Sequence, residues 1–269
     1  MSLPQLAIPF IKASACGNDF LLIESAALSS DTDRAALTRR ICDRHMGVGA
    51  DGVEWMYPHP SADIEIRLIN ADGSEAEISG NGTRCVAAYI CATHDKNRIV
   101  IQTGAGLKTC VLDGKSESDY EFESDMGEAV VSAELELKIA NGPVRGIPVS
   151  MGNPHYVVFM REFAKNWQAQ AAEIQANSEF KKHGVNVELV VAEGKHDVHV
   201  RFFERGVGET QSSGTGSCAS AVAAMAIGRA ESPVRVHAPG GAQTVRQENG
   251  RIFLRGPAKL VCGGEFFLA

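Results

Sequence analysis

The chain has 269 residues, of which 44% are hydrophobic and 6% aromatic, and its formal net charge at pH 7 is -7. This length is enough for one large domain or for two of moderate size. Because no apolar run approaches the ~20 residues of a membrane span, and because Lys and Arg form no basic stripe, we expect a small-molecule partner and neither a membrane nor a nucleic acid.

The beginning of the chain and its cysteines indicate the compartment. The segment MSLPQLAIPFIKASACGNDF lacks the basic, apolar and cleavage regions of a signal peptide. The seven cysteines are an odd number, form no Cys-x-x-Cys pair and mostly lie in apolar segments, which is typical of reduced, buried thiols. We therefore expect a cytoplasmic protein, and no metal site, because clustered ligands are missing.

The first predicted helix covers about residues 32–45, TDRAALTRRICDRH, with Asp31 or Thr32 as its N-cap. Residues 47–52, GVGADG, then match the G-x-G-x-x-G pattern and are followed by the strand-like VEWMY. A dinucleotide-binding loop has the reverse order, because it follows a strand and precedes a helix. We interpret the motif as a turn.

A strand, a loop and a helix are predicted next. Apolar residues alternate in ADIEIRL, which is typical of a strand. After Ser79 the period changes, and Cys85, Val86, Ala88, Tyr89 and Ile90 suit a mostly buried helix.

Short β-rich segments separated by turns make up most of the remaining chain, among them RIVIQTG, LKTCVLD, PHYVVFM and VNVELVVAEG. One further helix is predicted over about residues 161–179, and a boundary between two halves over residues 126–146.

An internal duplication relates the two halves at an offset of 134 residues, which places ADIEIRLINADGSEAEISGNG over HDVHVRFFERGVGETQSSGTG. The identical pairs are Asp63 with Asp197, Arg67 with Arg201, Glu75 with Glu209, Ser79 with Ser213, Gly80 with Gly214, and Gly82 with Gly216. The second copy also continues into a buried helix. The strand, loop and helix therefore occur twice.

The duplication predicts an α/β (α+β) fold with two pseudo-symmetric domains, each a curved sheet around an Ala-rich central helix. Residues 1–125, joined by a C-terminal strand at 258–269, are expected to form the first domain, and residues 126–257 the second.

The two repeated helix starts predict an anion site. A helix N-terminus exposes unpaired N–H groups and carries roughly half a positive charge. Two such ends, with Ser79 and Ser213 at the N-cap positions and glycines that allow close approach of a ligand, would hold a carboxylate between them. The alternative is that both serines are ordinary N-caps, a role that serine often fills.

Other polar residues near these elements are weaker candidates. His155, in MGNPHYVV, is either catalytic or structural. Glu204 and Arg205 end a strand at the position equivalent to Asn70, which predicts polar groups from both copies at one cleft. A serine hydrolase is not favoured, because the G-x-S-x-G elbow is missing and the second serine would have no role.

These residues resemble the diaminopimelate epimerases, a family within the superfamily of proline racemase and the phenazine-biosynthesis isomerases. The resemblance runs nearly end to end, through GNDF, RHMGVGADG, NADGSEAEISGNGTRC, GNPH, GVNVE and ERGVGETQSSGTGSCA. It implies two similar α/β domains, each a β-barrel-like sheet around a central helix, with a cofactor-free site in the cleft between them.

The resemblance also implies the residues of that site. Paired helix N-termini bind the carboxylate at the reacting carbon in this family, and asparagines and an arginine bind the distal amino-acid group. His155 and Glu204 match family residues near the reacting centre. The implied substrate contacts are Asn18, Asn70, Gly80, Asn81, Asn153, Asn186, Glu204, Arg205, Gly214 and Thr215.

The sequence departs from the family at the two proton carriers, where members have cysteine and this chain has Ser79 and Ser213. A thiol titrates near 8.5 and an alcohol nearer to water, so forming the base costs roughly 7 kcal/mol more, or ~10⁵-fold in rate. Three explanations stay open: engineered serines in a trapped enzyme, a natural variant in which His155 or Glu204 activates them, and a paralogue with another activity.

The function predicted from these observations is epimerisation of LL- to meso-diaminopimelate, in lysine and peptidoglycan precursor biosynthesis, with Ser79 and Ser213 as catalytic acid and base. A homodimer is also expected. The alternatives are a racemase or dehydratase of another amino acid, and a catalytically silent amino-acid-binding protein.

Overall fold

The computed structural model describes residues 7–140 and 142–268. Residues 1–6, which belong to the segment that predicts the compartment, lie outside the described residues, as does Asn141 of the predicted boundary. The chain divides into two units. Unit 1 contains the described residues up to Ser124 and those from Gly256 onward, and unit 2 is Asp125–Arg255. The sequence predicted these divisions after residues 125 and 257.

The described chain consists mainly of strands, with four α-helices between them. The first strands and helices are β1 (Ala7–Ala15), β2 (Asn18–Glu24), α1 (Arg34–Ile41), β3 (Gly52–Tyr57), β4 (Ile64–Asn70), β5 (Glu75–Ala76), α2 (Gly80–His94), β6 (Arg98–Thr103), β7 (Gly106–Ser116) and β8 (Asp119–Glu128). Those that follow are β9 (Val130–Val131), β10 (Leu135–Ile139), β11 (Gly142–Ser150), β12 (Pro154–Phe159), α3 (Trp167–Gln175), β13 (Asn186–Glu193), β14 (Asp197–Glu204), β15 (Gly208–Thr210), α4 (Gly214–Ala226), β16 (Val234–Ala238), β17 (Gly241–Glu248) and β18 (Arg251–Phe267).

Unit 1 is a closed barrel around α2. Eight strands pair in the order β1-β2-β3-β4-β6-β7-β8-β18, and β18 returns to β1. Small side chains such as Cys85, Ala87 and Ala88 let α2 fit inside the barrel, where they pack against Phe20 and Phe122. A closed sheet leaves no unpaired edge, and the helix fills its interior.

Strand alternation in β3 separates the barrel interior from an outer layer. Val53 and Trp55 point outward and pack with Leu37 and Ile41 of α1. Met56 belongs to the inner cluster around α2. Successive residues of a strand face opposite sides, so Glu54, between Val53 and Trp55, has the same orientation as Met56.

Unit 2 repeats this arrangement around α4. Its strands pair in the order β9-β11-β12-β13-β14-β16-β17-β18, with β10 on β11 and β15 on β14. Cys218, Ala221 and Ala224 of α4 lie in the core with Val200 and Phe202 of β14. The outer helix α3 packs on the other face of the sheet, which it covers with Trp167, Ala171 and Ile174.

The 134-residue offset extends beyond the segments that revealed it. Strands β3 and β13 begin at Gly52 and Asn186, and helices α2 and α4 begin at Gly80 and Gly214. The predicted α/β fold, with a curved sheet around each central helix, is confirmed. The repeated strand, loop and helix are confirmed as well.

The limits predicted for the two outer helices were wrong. Helix α1 is capped by Asp33, whose Oδ1 accepts a hydrogen bond from the Ala36 amide at 2.9 Å, and not by Asp31 or Thr32. It ends at Ile41 instead of residue 45, because the Ile41 carbonyl accepts from the turn amides of Val48 and Gly49.

Helix α3 is shorter than the predicted 161–179. Residues before Trp167 form a turn closed by the Trp167 amide and the Ala164 carbonyl. After Gln175, Asn177 caps a separate 3₁₀ turn over Ser178–Phe180. The predicted boundary at 126–146 contains β9, β10 and the start of β11.

Two further predictions were tested. Residues 47–51 lie in the connection from α1 to β3, which begins at Gly52, so the motif follows a helix and precedes a strand, as predicted. All seven cysteines are reduced, and six of them are buried, whereas Cys262 is exposed. No helix of the described chain has the length and apolar character needed to cross a membrane.

Candidate functional site

Ser79 is the N-cap of α2. Its backbone is extended, and its hydroxyl accepts a hydrogen bond from the Gly82 amide at 3.1 Å. The Ser79 carbonyl accepts from the Thr83 amide and hydroxyl. Gly80 is exposed and has open space where a Cβ would lie, so a ligand can approach the backbone of the first helical turn.

A directional chain of side-chain amides lies beside this helix start. The Arg84 guanidinium donates to Asn81 Oδ1 at 2.5 Å, and Asn81 Nδ2 donates to Asn18 Oδ1 at 2.7 Å. Asn18 Nδ2 in turn donates to Asp51 Oδ2 at 3.0 Å. Because each acceptor fixes the next amide, Asn18 and Asn81 are held in one orientation.

Charged residues support the end of this chain. Arg44 bridges Asp19 and Asp51 at 2.8 and 2.7 Å, and Lys12 pairs with Asp19 at 2.9 Å. Burial opposes ionisation of Asp19, but hydrogen bonds from Arg44 and Lys12 hold its pKa below the ordinary value.

Asn70 lies at the same end of the barrel, as the last residue of β4. Its side chain donates to the Ser74 hydroxyl at 3.0 Å. The amide of the adjacent Ala71 donates to the Asp51 carbonyl at 2.9 Å. Unit 1 therefore brings Asn18, Asn70 and Asn81 to one end of its barrel, next to Ser79.

Ser213 is the N-cap of α4 with the same geometry. Its hydroxyl accepts from the Gly216 amide at 3.2 Å, and it is 6% exposed. Gly214 and Thr215 form the first turn of the helix. The Thr215 hydroxyl accepts a hydrogen bond from Asn153 Nδ2 at 3.3 Å, which ties the turn before β12 to the helix start.

A buried relay continues from Asn153 into unit 2. His155 Nε2 donates to Asn153 Oδ1 at 3.0 Å, and His155 Nδ1 lies 2.7 Å from Glu188 Oε1. Burial raises the pKa of Glu188, His155 opposes this, and the negative charge of Glu204 adds to it. The imidazole and the carboxyl are therefore hydrogen-bonded to each other in a site closed to solvent.

Arg205 and Asn186 lie at the adjacent ends of β13 and β14. Asn186 Oδ1 accepts from the Arg205 amide at 2.9 Å. The Arg205 guanidinium donates to the His183 carbonyl, and its side chain is exposed. Unit 2 therefore gathers two groups of predicted residues, one around the start of α4 and one at Arg205.

Two buried glutamates were not among the site residues predicted from the sequence. Glu54 and Glu188 are 0% exposed, lie on β3 and β13, and are themselves 134 residues apart. Burial raises the pKa of Glu54 to about 8. A single glutamate within each apolar segment, VEWMY and VNVELVV, repeated at the known offset, was the signal that could have revealed them.

Metal ligands do not gather within the described ranges 7–140 and 142–268. Their His, Cys, Asp and Glu side chains form no group of three or more that could hold an ion.

Comparison with known proteins identifies the relatives of the chain. A family model described as diaminopimelate epimerase matches residues 10–132 and 147–261. The diaminopimelate epimerase of Desulforudis audaxviator is 36% identical over 280 residues, with 97% of this chain and 99% of the relative covered. That of Elusimicrobium minutum is 34% identical over 277 residues, with 96% and 98% covered.

Solved structures with the same fold are more distant in sequence. A phenazine biosynthesis protein of the PhzF family from Bacillus anthracis has a TM-score of 0.72 at 15% identity, covering 97% of this chain and 99% of that chain. A hydroxyproline epimerase from Agrobacterium vitis, with bound trans-4-hydroxy-L-proline, has a TM-score of 0.68 at 14% identity, covering 98% and 93%.

Proposed function

Because the chain belongs to the diaminopimelate epimerase family, we propose that it is a cofactor-independent isomerase that interconverts LL- and meso-diaminopimelate. Ser79 and Ser213 are the proposed proton carriers, one for each face of the α-carbon. The observation that carries the proposal is the repeated helix start, at which a serine hydroxyl and a glycine backbone occupy equivalent positions in α2 and α4.

Helix N-termini account for binding of the substrate carboxylate. The first turns of α2 and α4 begin with glycine and lie at the positive end of the helix dipole, which favours an anion. In the proposed complex, Gly80, Asn81, Gly214 and Thr215 bind this carboxylate. The location of the substrate in a cleft stays a prediction of the sequence.

The remaining predicted site residues are assigned to orientation of the substrate and to its distal group. Asn18, Asn70, Asn153 and Asn186 offer amides, and Arg205 offers an exposed guanidinium that can pair with a second carboxylate. His155 and Glu204 are assigned to the neighbourhood of the reacting carbon, and the hydrogen bond to Glu188 holds the His155 ring in place.

A second candidate function follows from the serines themselves. An alcohol is a much weaker carbon base than a thiolate, and a helix N-terminus contributes only about 1–2 kcal/mol toward its ionisation. A protein that binds the amino acid without turning it over would need the same binding residues and no strong base. This observation favours an amino-acid-binding protein as the alternative.

Incubation with LL-diaminopimelate in D₂O tests the proposal. Epimerisation introduces deuterium at the α-carbon and produces the meso isomer. Exchange with another amino acid instead would indicate a different racemase, and loss of water would indicate a dehydratase. Saturable binding of diaminopimelate with neither exchange nor loss of water would support the binding protein and exclude the epimerase.

The proposal includes a homodimer, a cytoplasmic location and no nucleic-acid partner. The net charge of -7 supports the last of these, because phosphate-binding surfaces are basic. Sedimentation equilibrium of the purified chain measures the oligomeric state, and a monomer at micromolar concentration would contradict the dimer.

A further inference from the structure

Glu54 occupies an unusual position for an ionisable side chain. It lies on the inner face of the unit 1 barrel, beside Leu22 on β2 and Leu68 on β4 in the strand register. It is 0% exposed, and neither of its carboxyl oxygens has a hydrogen-bond partner within the described residues. Burying such a group costs free energy that an apolar residue would avoid, which indicates a role other than stability.

The carboxyl of Glu54 lies against the first turn of α2. A Cβ placed on Gly82 would be 1.9 Å from Glu54 Oε1 and 3.3 Å from the Ser79 Cβ. The Glu54 carboxyl and the Ser79 side chain therefore both lie next to the position that a side chain of residue 82 would occupy. Only glycine leaves room for both.

The Ser79 hydroxyl can donate a hydrogen bond of the kind that the Glu54 carboxyl can accept. Its hydroxyl oxygen accepts from the Gly82 amide, whereas its hydrogen has no acceptor among the side chains and carbonyls that the structure describes. A hydroxyl can donate one hydrogen bond in addition to those it accepts. The nearby glutamate offers two oxygens that lack donors.

The surroundings of Glu54 allow it to hold a proton near neutral pH. The elements packed against it present Leu22, Leu68, Gly82 and the Cys85 thiol, and burial raises the pKa of that thiol far above neutrality. No cation fixes the carboxylate among the described residues. Burial raises the pKa of Glu54 to about 8, so both protonation states are accessible under ordinary conditions.

We propose that Glu54 is a positioning residue that accepts the hydroxyl proton of Ser79 when Ser79 removes the α-proton of the substrate. The inference rests on the proposed function. The α-C–H bond breaks and its electron pair stays on carbon, the proton bonds to Ser79 Oγ, and the original Ser79 proton moves to the Glu54 carboxylate. Proton donation by Ser79 is the reverse of these steps.

The duplication supports this assignment. Glu188 is the equivalent residue in unit 2, and a Cβ on Gly216 would lie 2.9 Å from its Oε1. Its Oε2 also lacks a partner within the described residues. Glu188 forms a hydrogen bond with His155, whereas the Glu54 carboxyl has no hydrogen-bond partner within the described residues. The proton acceptors proposed for Ser79 and Ser213, Glu54 and Glu188, therefore differ in strength.

Deuterium exchange on each face tests the role of Glu54. The variant Glu54→Gln keeps the size of the protonated acid but cannot accept a proton. We expect it to slow α-exchange from one diaminopimelate stereoisomer by about 100-fold or more, the usual range for a lost acid–base group, and to leave exchange from the other within a few-fold. Equal slowing of both, or no change, would overturn the proposal.

The pH profile and a matched control separate a proton role from a structural one. In the unsubstituted chain, exchange from the affected stereoisomer should rise about tenfold per pH unit and level off near pH 8, and Glu54→Gln should lose this rise. Glu65→Gln makes the same chemical change in the same barrel, at a partly exposed residue paired with Arg67, and should behave like the unsubstituted chain.

Infrared spectroscopy tests the proposed interaction between Ser79 and Glu54 without any substrate. Glu54 should give the C=O band of a protonated carboxyl that titrates near pH 8 and disappears in Glu54→Gln. Removal of the hydroxyl in Ser79→Ala should shift this band or its titration. An unshifted band would overturn the inference even if epimerisation occurs. A shifted band in a chain that does not act on diaminopimelate would support the interaction of Ser79 with Glu54 and would reject the proposed function.

Discussion

His155 Nδ1 lies 2.7 Å from Glu188 Oε1, and both side chains are completely buried. The exposed pair of His199 and Glu193 in the same unit has the same separation of 2.7 Å. Since the distances are equal, the surroundings decide what each pair contributes. Water solvates the separated partners at the surface, whereas in the core a lost partner leaves an unpaired polar group.

The substitution His155→Ala is therefore expected to destabilise the protein by about 3 kcal/mol or more, because it leaves Glu188 buried without its partner. The control His199→Ala should change the free energy of unfolding by less than about 1 kcal/mol. Urea unfolding monitored by circular dichroism measures both. Equal effects of the two substitutions would show that burial of the His155–Glu188 pair is not decisive.

A pH-dependent loss of stability is expected from Glu54. Its pKa of about 8 lies above the ordinary value of about 4.3 in an unfolded chain, so the folded state retains a proton that the unfolded state releases. Stability falls as pH rises between these values and the loss is complete above about 8, at ~1.4 kcal/mol per pKa unit. The free energy of unfolding, measured at pH 5, 7 and 9, should fall with pH in the unsubstituted chain. The variant Glu54→Gln should not show this fall.

Gly82 should tolerate no larger residue. In Gly82→Ala the new Cβ would lie 1.9 Å from Glu54 Oε1, so the carboxyl or the helix start must move, at a cost of about 1–3 kcal/mol. Gly80→Ala makes the same change two residues earlier, where the Cβ meets nothing within 4 Å. Thermal unfolding should separate the two variants, and equal midpoints would contradict the close contact.

The double substitution Ser79→Cys with Ser213→Cys should raise diaminopimelate epimerisation by several orders of magnitude, because a thiol ionises more readily than an alcohol. Each single substitution should give much less, since inversion needs a base on one face and an acid on the other. Turnover in D₂O measures both effects. A double variant that binds diaminopimelate but neither exchanges nor inverts it would favour the binding-protein alternative.

Arg205→Ala should abolish the preference for diaminopimelate over lysine, which lacks the second carboxylate. A charge-assisted contact of this kind contributes about 1.5–3 kcal/mol, and the substitution keeps the backbone hydrogen bond to Asn186. Arg145→Ala removes another exposed arginine of unit 2, one that pairs with Glu136, and serves as control. Competition binding should show an altered preference in the first variant alone.

Local sequence was sufficient for the repeated elements of the fold. Apolar residues alternate in β4 and β14, and small, buried residues follow Ser79 and Ser213. A strand and a helix each have a characteristic side-chain period, which can be recognised within a short segment of sequence. The 134-residue offset between the repeated segments then predicted two similar units, and this prediction needed no information about tertiary contacts. Helix ends were less predictable, because the end of α1 at Ile41 depends on amides of the following turn.

The partners of the polar residues were decided only by the tertiary structure. Asn18 and Asn81 are 63 residues apart in sequence, yet they share a hydrogen bond of 2.7 Å, since closure of the barrel brings the start of β2 to the start of α2. Glu54 lies within an apolar strand whose pattern indicates only which face it occupies. Whether that face meets solvent, a cation or the Gly82 backbone depends on strand register and on the helix inside the barrel, which no local pattern contains.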